Sequence, residues 1–307
     1  MAASPTTVPL PTRCSACGGS AFTHRRILDD LQTRTCISCG LVYGAIDRFG
    51  PAVPEFALVD HDAYLRSVGE TRRMQAIPIL EVLTRHARPG ARLLDVGCSF
   101  GFFLLAARRA GFEVTGIEPD PQAYEYANHL LGDEVVHHGT FDSHSVQPGS
   151  ADIVSTLDLM EHIPPSEHEA FAATVRTTLT PTGMWVIKVP TTEGLYYKLS
   201  DGLARTSPRL GASLIRRMWQ TRYEYPHLVY FSLGSLSVEL ERSGFRVLAH
   251  SYIPEVPIRT VIDRLSTDGD ISRGVAWLVA PIVASVNLVE SLRGKSDGLV
   301  VFARPRP

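Results

Sequence analysis

The sequence predicts an α/β protein: a doubly wound, mostly parallel, seven-stranded sheet with a small zinc ribbon at its N-terminus. Two observations carry this. Arg92-Leu-Leu-Asp-Val-Gly-Cys-Ser-Phe-Gly101 reads as a short buried strand, a tight glycine turn and the opening of a helix, the ligand-binding corner of such a sheet. Cys14-Ser-Ala-Cys17 and Cys36-Ile-Ser-Cys39 form two knuckles with eighteen residues between them, the spacing of a four-cysteine zinc site.

Composition frames the rest. The 307 residues allow one large domain, or one domain and a small appendage. Hydrophobic residues are 44% and charged residues 20%, ordinary for a globular chain. The net charge of -2 supplies no bulk attraction to nucleic acid or to an anionic membrane. The first ten residues hold neither a charged segment nor an apolar run, so no secretory signal is expected and the expected location is cytoplasmic.

Residues 1–10 read as a disordered tail and 11–46 as the ribbon. Cys14, Cys17, Cys36 and Cys39 are the expected ligands of one zinc, with strands at Arg34-Thr-Cys and Leu41-Val-Tyr beside the second knuckle. Four protein thiolates leave no open position, so the metal is expected to be structural; redox or free thiols are the alternative. Arg13, Arg25, Arg26 and Arg34 lie among Asp29 and Asp30, which gives little support to a basic face for nucleic acid. Residues 47–90 read as a linker with Pro51 and Pro54, then helices. Tyr64, Leu65, Val68, Ile77, Leu80 and Leu83 recur at helical spacing, and Pro78 is expected to start a new helix.

The sheet domain is expected over 91–307. Its first strand, Leu93 to Val96, puts Asp95 where it can accept a hydrogen bond from a ligand ammonium or hydroxyl. Gly97 turns the chain and Gly101 lets it approach a ligand closely. The second strand, Val114 to Glu118, places an acid roughly 20 residues after the glycines, where ribose hydroxyls bind. A helix from Pro121 to Leu131, a strand over Glu134–His138 and the turn Gly139-Thr-Phe-Asp142 follow. Ala151–Leu157 is the fourth strand and Met184–Pro190 the fifth, after a turn at Pro181-Thr-Gly183.

About residues 191–226 form an insertion. Tyr196, Tyr197, Trp219, Tyr223 and Tyr225 stand there among Arg205, Arg209, Arg216, Arg217 and Arg222. Such a loop suits sugar faces, lipid-linked phosphates or an aromatic acceptor, or is a helical cover with a solvated basic face. A helix over Leu236–Ser243, a strand over Gly244–Ala249, a helical insertion at about 257–293 and a strand over Gly298–Ala303 complete the domain. The apolar run Val275–Ala280, broken by Pro281, falls short of the ~20 residues of a spanning helix. It is expected to cover the core, with an interfacial surface as the alternative.

The spacing Asp95-x-Gly97-x-x-x-Gly101, with Glu118 at the next strand end and Glu161-His162-Ile-Pro after the fourth strand, resembles the signature of the class I S-adenosylmethionine-dependent methyltransferases. The resemblance covers about Leu93 to Pro305 and departs at Ser99, where the family has glycine. It implies a Rossmann-like methyltransferase fold whose last strand is inserted antiparallel between the fifth and sixth. It also implies S-adenosylmethionine as cofactor. Asp95 and Gly97 would hold its methionine end, with Cys98, Ser99 and Gly101 in the same turn. Glu118, followed by Pro119, would hold the ribose, and Thr140 and Phe141 would lie against the adenine. Asp158 and His162 would face the transferring methyl.

His162 is then a candidate base, with His227 in Pro226-His-Leu-Val-Tyr-Phe-Ser232 as the second. Glu161 and His162 orienting the loop is the alternative. Asp158, Glu161 and His162 together can also present ligands to a divalent ion. The expected reaction is in-line methyl transfer to a hydroxyl of a sugar, glycolipid or secondary metabolite, a small-molecule or lipid-linked acceptor rather than nucleic acid. Two other classes remain open: an RNA or protein methyltransferase that grips its substrate with the ribbon, and a non-catalytic cofactor-binding module.

Overall fold

The structure, a computed structural model, describes residues 10–28, 30–46, 61–132, 134–142, 146–221, 223–263 and 272–306. The expected tail, Leu10 apart, and the Pro51/Pro54 linker lie outside these residues, as do Asp29, Arg222 and the side chain of Tyr64.

The ribbon is a hairpin of β1 (Phe22–Leu28) and β2 (Leu31–Cys36), with β3 (Val42–Ile46) antiparallel to β2. Next comes α1 (His61–His86), which runs unbroken through Pro78 where a new helix was expected. The proline forfeits one backbone hydrogen bond, but Ala76, Ile79 and Leu83 around it are fully buried, and that packing outweighs the loss.

The sheet domain then alternates β4 (Arg92–Val96), α2 (Phe102–Arg109), β5 (Glu113–Glu118), α3 (Pro121–Leu131), β6 (Val136–His138), β7 (Ala151–Leu157), α4 (His168–Thr178) and β8 (Leu179–Pro190). Pro121 sits in the first turn of α3, and the Asp120 side chain caps it by accepting from the Gln122 and Ala123 amides. The turn expected at Pro181-Thr-Gly183 is instead extended chain within β8. The irregularity there is a register shift against β7 between Ala151 and Ile153.

After β8 come α5 (Leu195–Thr206), α6 (Pro208–Met218), the two-residue β9 (Val229–Tyr230), α7 (Leu233–Arg242) and β10 (Phe245–Ile253). A single 3-10 turn at Ile258–Thr260, α8 (Arg273–Arg293) and β11 (Gly298–Pro305) close the chain. The seven-stranded sheet has the order β10-β11-β8-β7-β4-β5-β6, with β11 antiparallel to both neighbours and the pairs from β8 to β6 parallel. The central strands are buried on both faces: Leu94, Val96, Ile187 and Val301 enter one core, and Leu93, Ile153, Val186 and Val300 the other.

The first of those cores also takes in Cys14, Cys36 and Tyr43 of the ribbon with Leu236 and Phe245. β9 adds itself to the edge of β3, so the ribbon sheet has four strands, one of them supplied by the sheet domain.

Helix α8 differs from its expected role. It is continuous through Pro281, because the flanking turns keep their own hydrogen bonds, and it covers little of the core. Among the described residues it is the one helix long and apolar enough to cross a membrane, and most of its surface is exposed.

Candidate active site

The β4–α2 corner is built by backbone conformation. Gly97 (φ 69°), Ser99 (φ 49°) and Gly101 (φ 75°) are all left-handed. A side chain on Gly101 would stand 3.0 Å from Leu131 and 3.1 Å from Ala127, so α3 packs where a Cβ would be. Ser99 adopts the conformation that a glycine would take more cheaply, and Glu118 holds it there: the Ser99 amide donates to Oε2 at 2.7 Å. The Asp120 amide donates to Oε1 of the same carboxylate at 2.9 Å.

Asp95 is buried and accepts from Ser155 Oγ at 2.6 Å. Burial pushes its carboxyl up to about 7, with the Glu118 charge adding to the rise and Ser155 and Arg72 opposing it. Asp95, Gly97, Cys98 and Ser99 line one narrow cleft together with Val68 and Arg72 of α1 and Phe100. Pro119 lies just beyond, its carbonyl 3.0 Å from His138 Nε2. Thr140 is exposed, and Phe141 packs its ring edge-on against Phe171 at 5.3 Å; neither borders this cleft. These residues fit the nucleoside-and-amino-acid cofactor of the resemblance: a cleft at the carboxyl ends of parallel strands, two strand-end acids and a turn open to a close backbone approach.

Beyond β7 the chain turns at Asp158, a non-glycine residue with φ 57°. Its carboxylate pairs with Arg72 and, at 2.5 Å, with Lys188 Nζ. Lys188 is fully buried in β8 and also meets both oxygens of Glu255 at 2.8 Å. Burial alone would raise the Asp158 carboxyl, yet the Arg72 and Lys188 cations hold it well below the usual range. Asp158 therefore serves the ion pairs and does not join Glu161 and His162 around a divalent ion.

The structure brings a different residue to that pair. Glu161, His162 and His227 present ligand atoms that all lie within 4.8 Å of one another, a set able to hold a divalent cation. Glu161 is buried, and its Oε2 has no hydrogen-bond partner. Burial, then the Asp158 charge, pushes its carboxyl well up. The His162 and His227 rings meet edge-on at 4.9 Å. His162 Nδ1 lies 3.1 Å from the Pro226 carbonyl, which only accepts, so in the neutral ring Nδ1 carries the proton. His227 Nδ1 lies 3.1 Å from the Tyr230 hydroxyl, which itself donates to the Met218 carbonyl at 2.7 Å. His227 thus also carries its proton on Nδ1, and both rings have Nε2 as the lone-pair nitrogen. Burial, and then neighbouring His162, hold the His227 ring well below its ordinary pKa, so it is neutral.

In the ribbon, Cys14 and Cys39 Sγ are 3.5 Å apart, as are Cys17 and Cys36 Sγ. Four thiolates about 2.3 Å from one tetrahedral zinc stand about 3.8 Å from each other, so the set fits with little rearrangement. The Tyr43 hydroxyl donates to Cys14 Sγ at 3.1 Å, the outer-shell bond typical of a thiolate site.

Arg72, Lys188 and Glu255 were not singled out from the sequence. Lys188 had a visible sign: it is the lone charge in the apolar run Met184–Pro190, and a buried lysine requires partners.

The sheet order, its single antiparallel strand and the acids ending β4 and β5 define the class I S-adenosylmethionine-dependent methyltransferases. The chain belongs to the family described as "Methyltransferase domain", whose model matches residues 68–250. A ubiquinone biosynthesis O-methyltransferase from Xanthomonas campestris pv. campestris (strain B100) is 39% identical over 88 residues, 27% of this chain and 37% of that one. One from Albidiferax ferrireducens is 32% identical over 129 residues, 38% and 49% of the two chains. The chain thus spans half or less of the length of these relatives. Two solved structures share the fold. The methyltransferase bound to the Haloferax volcanii Trm112 activator is 16% identical with a TM-score of 0.53, over 80% of this chain and 96% of that one. A geranyl diphosphate methyltransferase solved with S-adenosylmethionine is 14% identical with a TM-score of 0.52, over 80% and 92%.

Proposed function

We propose that this enzyme methylates a hydroxyl of a small molecule, on a sugar, glycolipid or secondary metabolite, and holds one structural zinc in its ribbon. The observation that supports a hydroxyl acceptor is the His162–His227 pair, two imidazoles with Nε2 lone pairs next to the loop that leaves β7. A hydroxyl must lose its proton as it is methylated, and a neutral imidazole takes it near pH 7. The partial relatives are named as O-methyltransferases, which agrees with that chemistry.

S-adenosylmethionine supplies a methyl already activated on a sulfonium, so the protein's part is chiefly alignment and proton removal. Asp95, with Gly97, Cys98, Ser99 and Gly101, would hold the amino-acid end. Arg72 borders the same cleft and adds a cation for the cofactor carboxylate, while Asp158 fixes its direction. Glu118 would accept from the ribose and Pro119 follow it, with Thr140 and Phe141 on the adenine side. The ribbon is built into the core with Tyr43 and Cys36, which favours a supporting role over a grip on RNA or protein. The test is a screen of hydroxyl acceptors that follows release of S-adenosylhomocysteine. Turnover of amines or RNA alone, with every hydroxyl inert, overturns the assignment.

A further inference from the structure

We propose that α8 docks the protein onto an anionic lipid surface, lying along it with its outer face in the headgroup boundary. The helix has 21 residues and no charged side chain from Gly274 to Val289. A helix apolar all round belongs in a protein core or in lipid. Only one side of α8 finds a core, through Ala276, Val283 and Glu290. The opposite side exposes Trp277 (64%), Leu278 (76%), Ile282 (64%), Leu288 (61%) and Leu292 (81%). Ile258, on the 3-10 turn that packs beside α8, extends the patch.

Charge selects the occupant. Arg273 is the first residue of the helix in sequence, exposed Arg293 ends it, and Arg259 is exposed on the neighbouring turn, whereas Lys295 beyond the helix is already paired with Glu193. The one acid of the helix, Glu290, is buried and accepts from the Leu195 amide and the Ser296 hydroxyl at 2.6 Å each. A second copy pairing α8 with α8 would set a basic end against a basic end in either direction, with no exposed helix acid to offset it. Anionic headgroups neutralise both ends at once. The chain's net charge of -2 does not prevent this, because charges beyond a Debye length are screened.

The attitude follows from the anchored side. Tyr196 donates to the Val283 carbonyl at 3.4 Å and Asn287 Nδ2 to the Val256 carbonyl at 2.9 Å, so α8 would have to break from the domain in order to span. The same root forms a wall of the active site: Glu255 holds Lys188, and Gln75 Nε2 holds the Pro254 carbonyl at 3.0 Å. A docked α8 therefore brings the site to the lipid surface. The docking does not depend on methyl transfer. Its corollary, an amphipathic or lipid-linked acceptor hydroxyl, rests on the proposed function.

The test uses the full chain with vesicles of phosphatidylcholine, alone or mixed with phosphatidylglycerol. Of the three tryptophans, Trp185 and Trp219 are buried, so emission changes report Trp277. The expected result is a blue shift and co-sedimentation with the anionic vesicles. Leu278→Ser and Leu292→Ser each weaken binding roughly tenfold or more, and Arg293→Glu roughly fivefold or more, with unchanged circular dichroism melting. Absence of binding to either vesicle overturns the proposal. A blue shift that follows protein concentration alone, with dimers in sedimentation, assigns the face to a second copy. Resistance to alkaline carbonate extraction assigns it to a span. S-adenosylmethionine affinity, measured by calorimetry without vesicles, tests the methyltransferase reading separately.

Discussion

The amide of Gly44 donates to the carbonyl of Leu228 at 2.8 Å, which ties the third strand of the ribbon to the residue after His227. From the other side, the Leu228 amide donates to the Glu161 carbonyl at 2.7 Å. One backbone segment is thus held between the ribbon and the loop after β7, and it carries His227. The ribbon is a wall of the site, although its cysteines are remote in sequence from the cofactor motifs.

Gly44 is where this contact is tightest. A Cβ there would stand 2.4 Å from the Trp219 ring, and Trp219 is fully buried. Gly44→Ala is expected to cost about 1–3 kcal/mol of stability, the usual penalty of overpacking. Turnover should fall more than S-adenosylmethionine affinity, because the cofactor cleft is built from α1, β4 with its turn into α2, and the end of β7. Thermal melting with calorimetry on the same samples checks both; an unchanged melting temperature would show that Trp219 yields freely.

Zinc removal follows the same logic. Metal analysis of protein purified without added zinc should find about one equivalent, as one four-thiolate site requires. Chelation, or Cys36→Ser, should lower the melting temperature and turnover together while leaving the β4 corner able to bind cofactor. A metal-free protein with an intact ribbon would remove zinc from the description.

Asp95 makes the cofactor site pH-dependent. Its carboxyl titrates at about 7 in the fold and near 3.9 in an unfolded chain. The fold therefore binds this proton more tightly than the unfolded chain does, and its contribution to stability falls as pH rises between those values. A bound cofactor ammonium favours the carboxylate, so affinity should increase as pH approaches 7 and binding should release a proton. Calorimetry in buffers of different ionisation enthalpy measures that proton. Asp95→Ala and Glu118→Ala should each weaken binding strongly, and unchanged affinity in both would remove the cofactor assignment from this corner.

His168 carries a dependence of the same sign in a higher pH window. It is buried, with Nδ1 2.6 Å from Glu239 Oε1 and Nε2 3.0 Å from the Ile163 carbonyl, so both nitrogens face acceptors. Burial would lower its pKa, but the Glu239 charge prevails and raises it. Its stabilisation is full below the unfolded value near 6.5 and is lost as pH rises through the higher folded value. The melting temperature should therefore decline above neutral pH, and His168→Gln should flatten that decline. An equal slope in the variant would place the titrating group elsewhere.

What could be read from the sequence was local. The Asp95–Gly101 turn, Glu118 at the next strand end, the paired cysteines and the Pro121 helix start each lie within a few residues or one short repeat. What could not be read depends on contacts between distant segments. Pro78 and Pro281 look like helix breaks, yet both helices run through them because packing and flanking hydrogen bonds exceed one lost bond. Arg72 reaches Asp158 from 86 residues away, and Glu255 reaches Lys188 from 67. No periodicity announces such pairs. His227 comes beside His162 because the Leu228 amide donates to the Glu161 carbonyl while Gly44 of the ribbon holds the Leu228 carbonyl, a bridge that no local pattern in the sequence reveals.

The last expectation concerns which imidazole takes the proton. His227 is buried and kept neutral, and its Nδ1 proton supports Tyr230, which in turn holds the Met218 carbonyl. His162 is half-buried and follows the Asp158 turn directly. A base of very low pKa drives proton transfer weakly, so we expect His162 to carry the chemical role and His227 to position it. His162→Ala should then lose ~10²–10⁴-fold in turnover with cofactor affinity intact. His227→Ala should also lower the melting temperature, and His227→Gln should recover that stability. A divalent ion on Glu161, His162 and His227 would behave differently: chelation would abolish turnover before the ribbon zinc is lost or the melting temperature falls, and Glu161→Gln would match the loss in His162→Ala. If turnover survives Glu161→Gln and falls only in His227→Ala, the base is His227. If it survives both alanine variants, alignment alone suffices and the acceptor is an atom that gives up its proton without help.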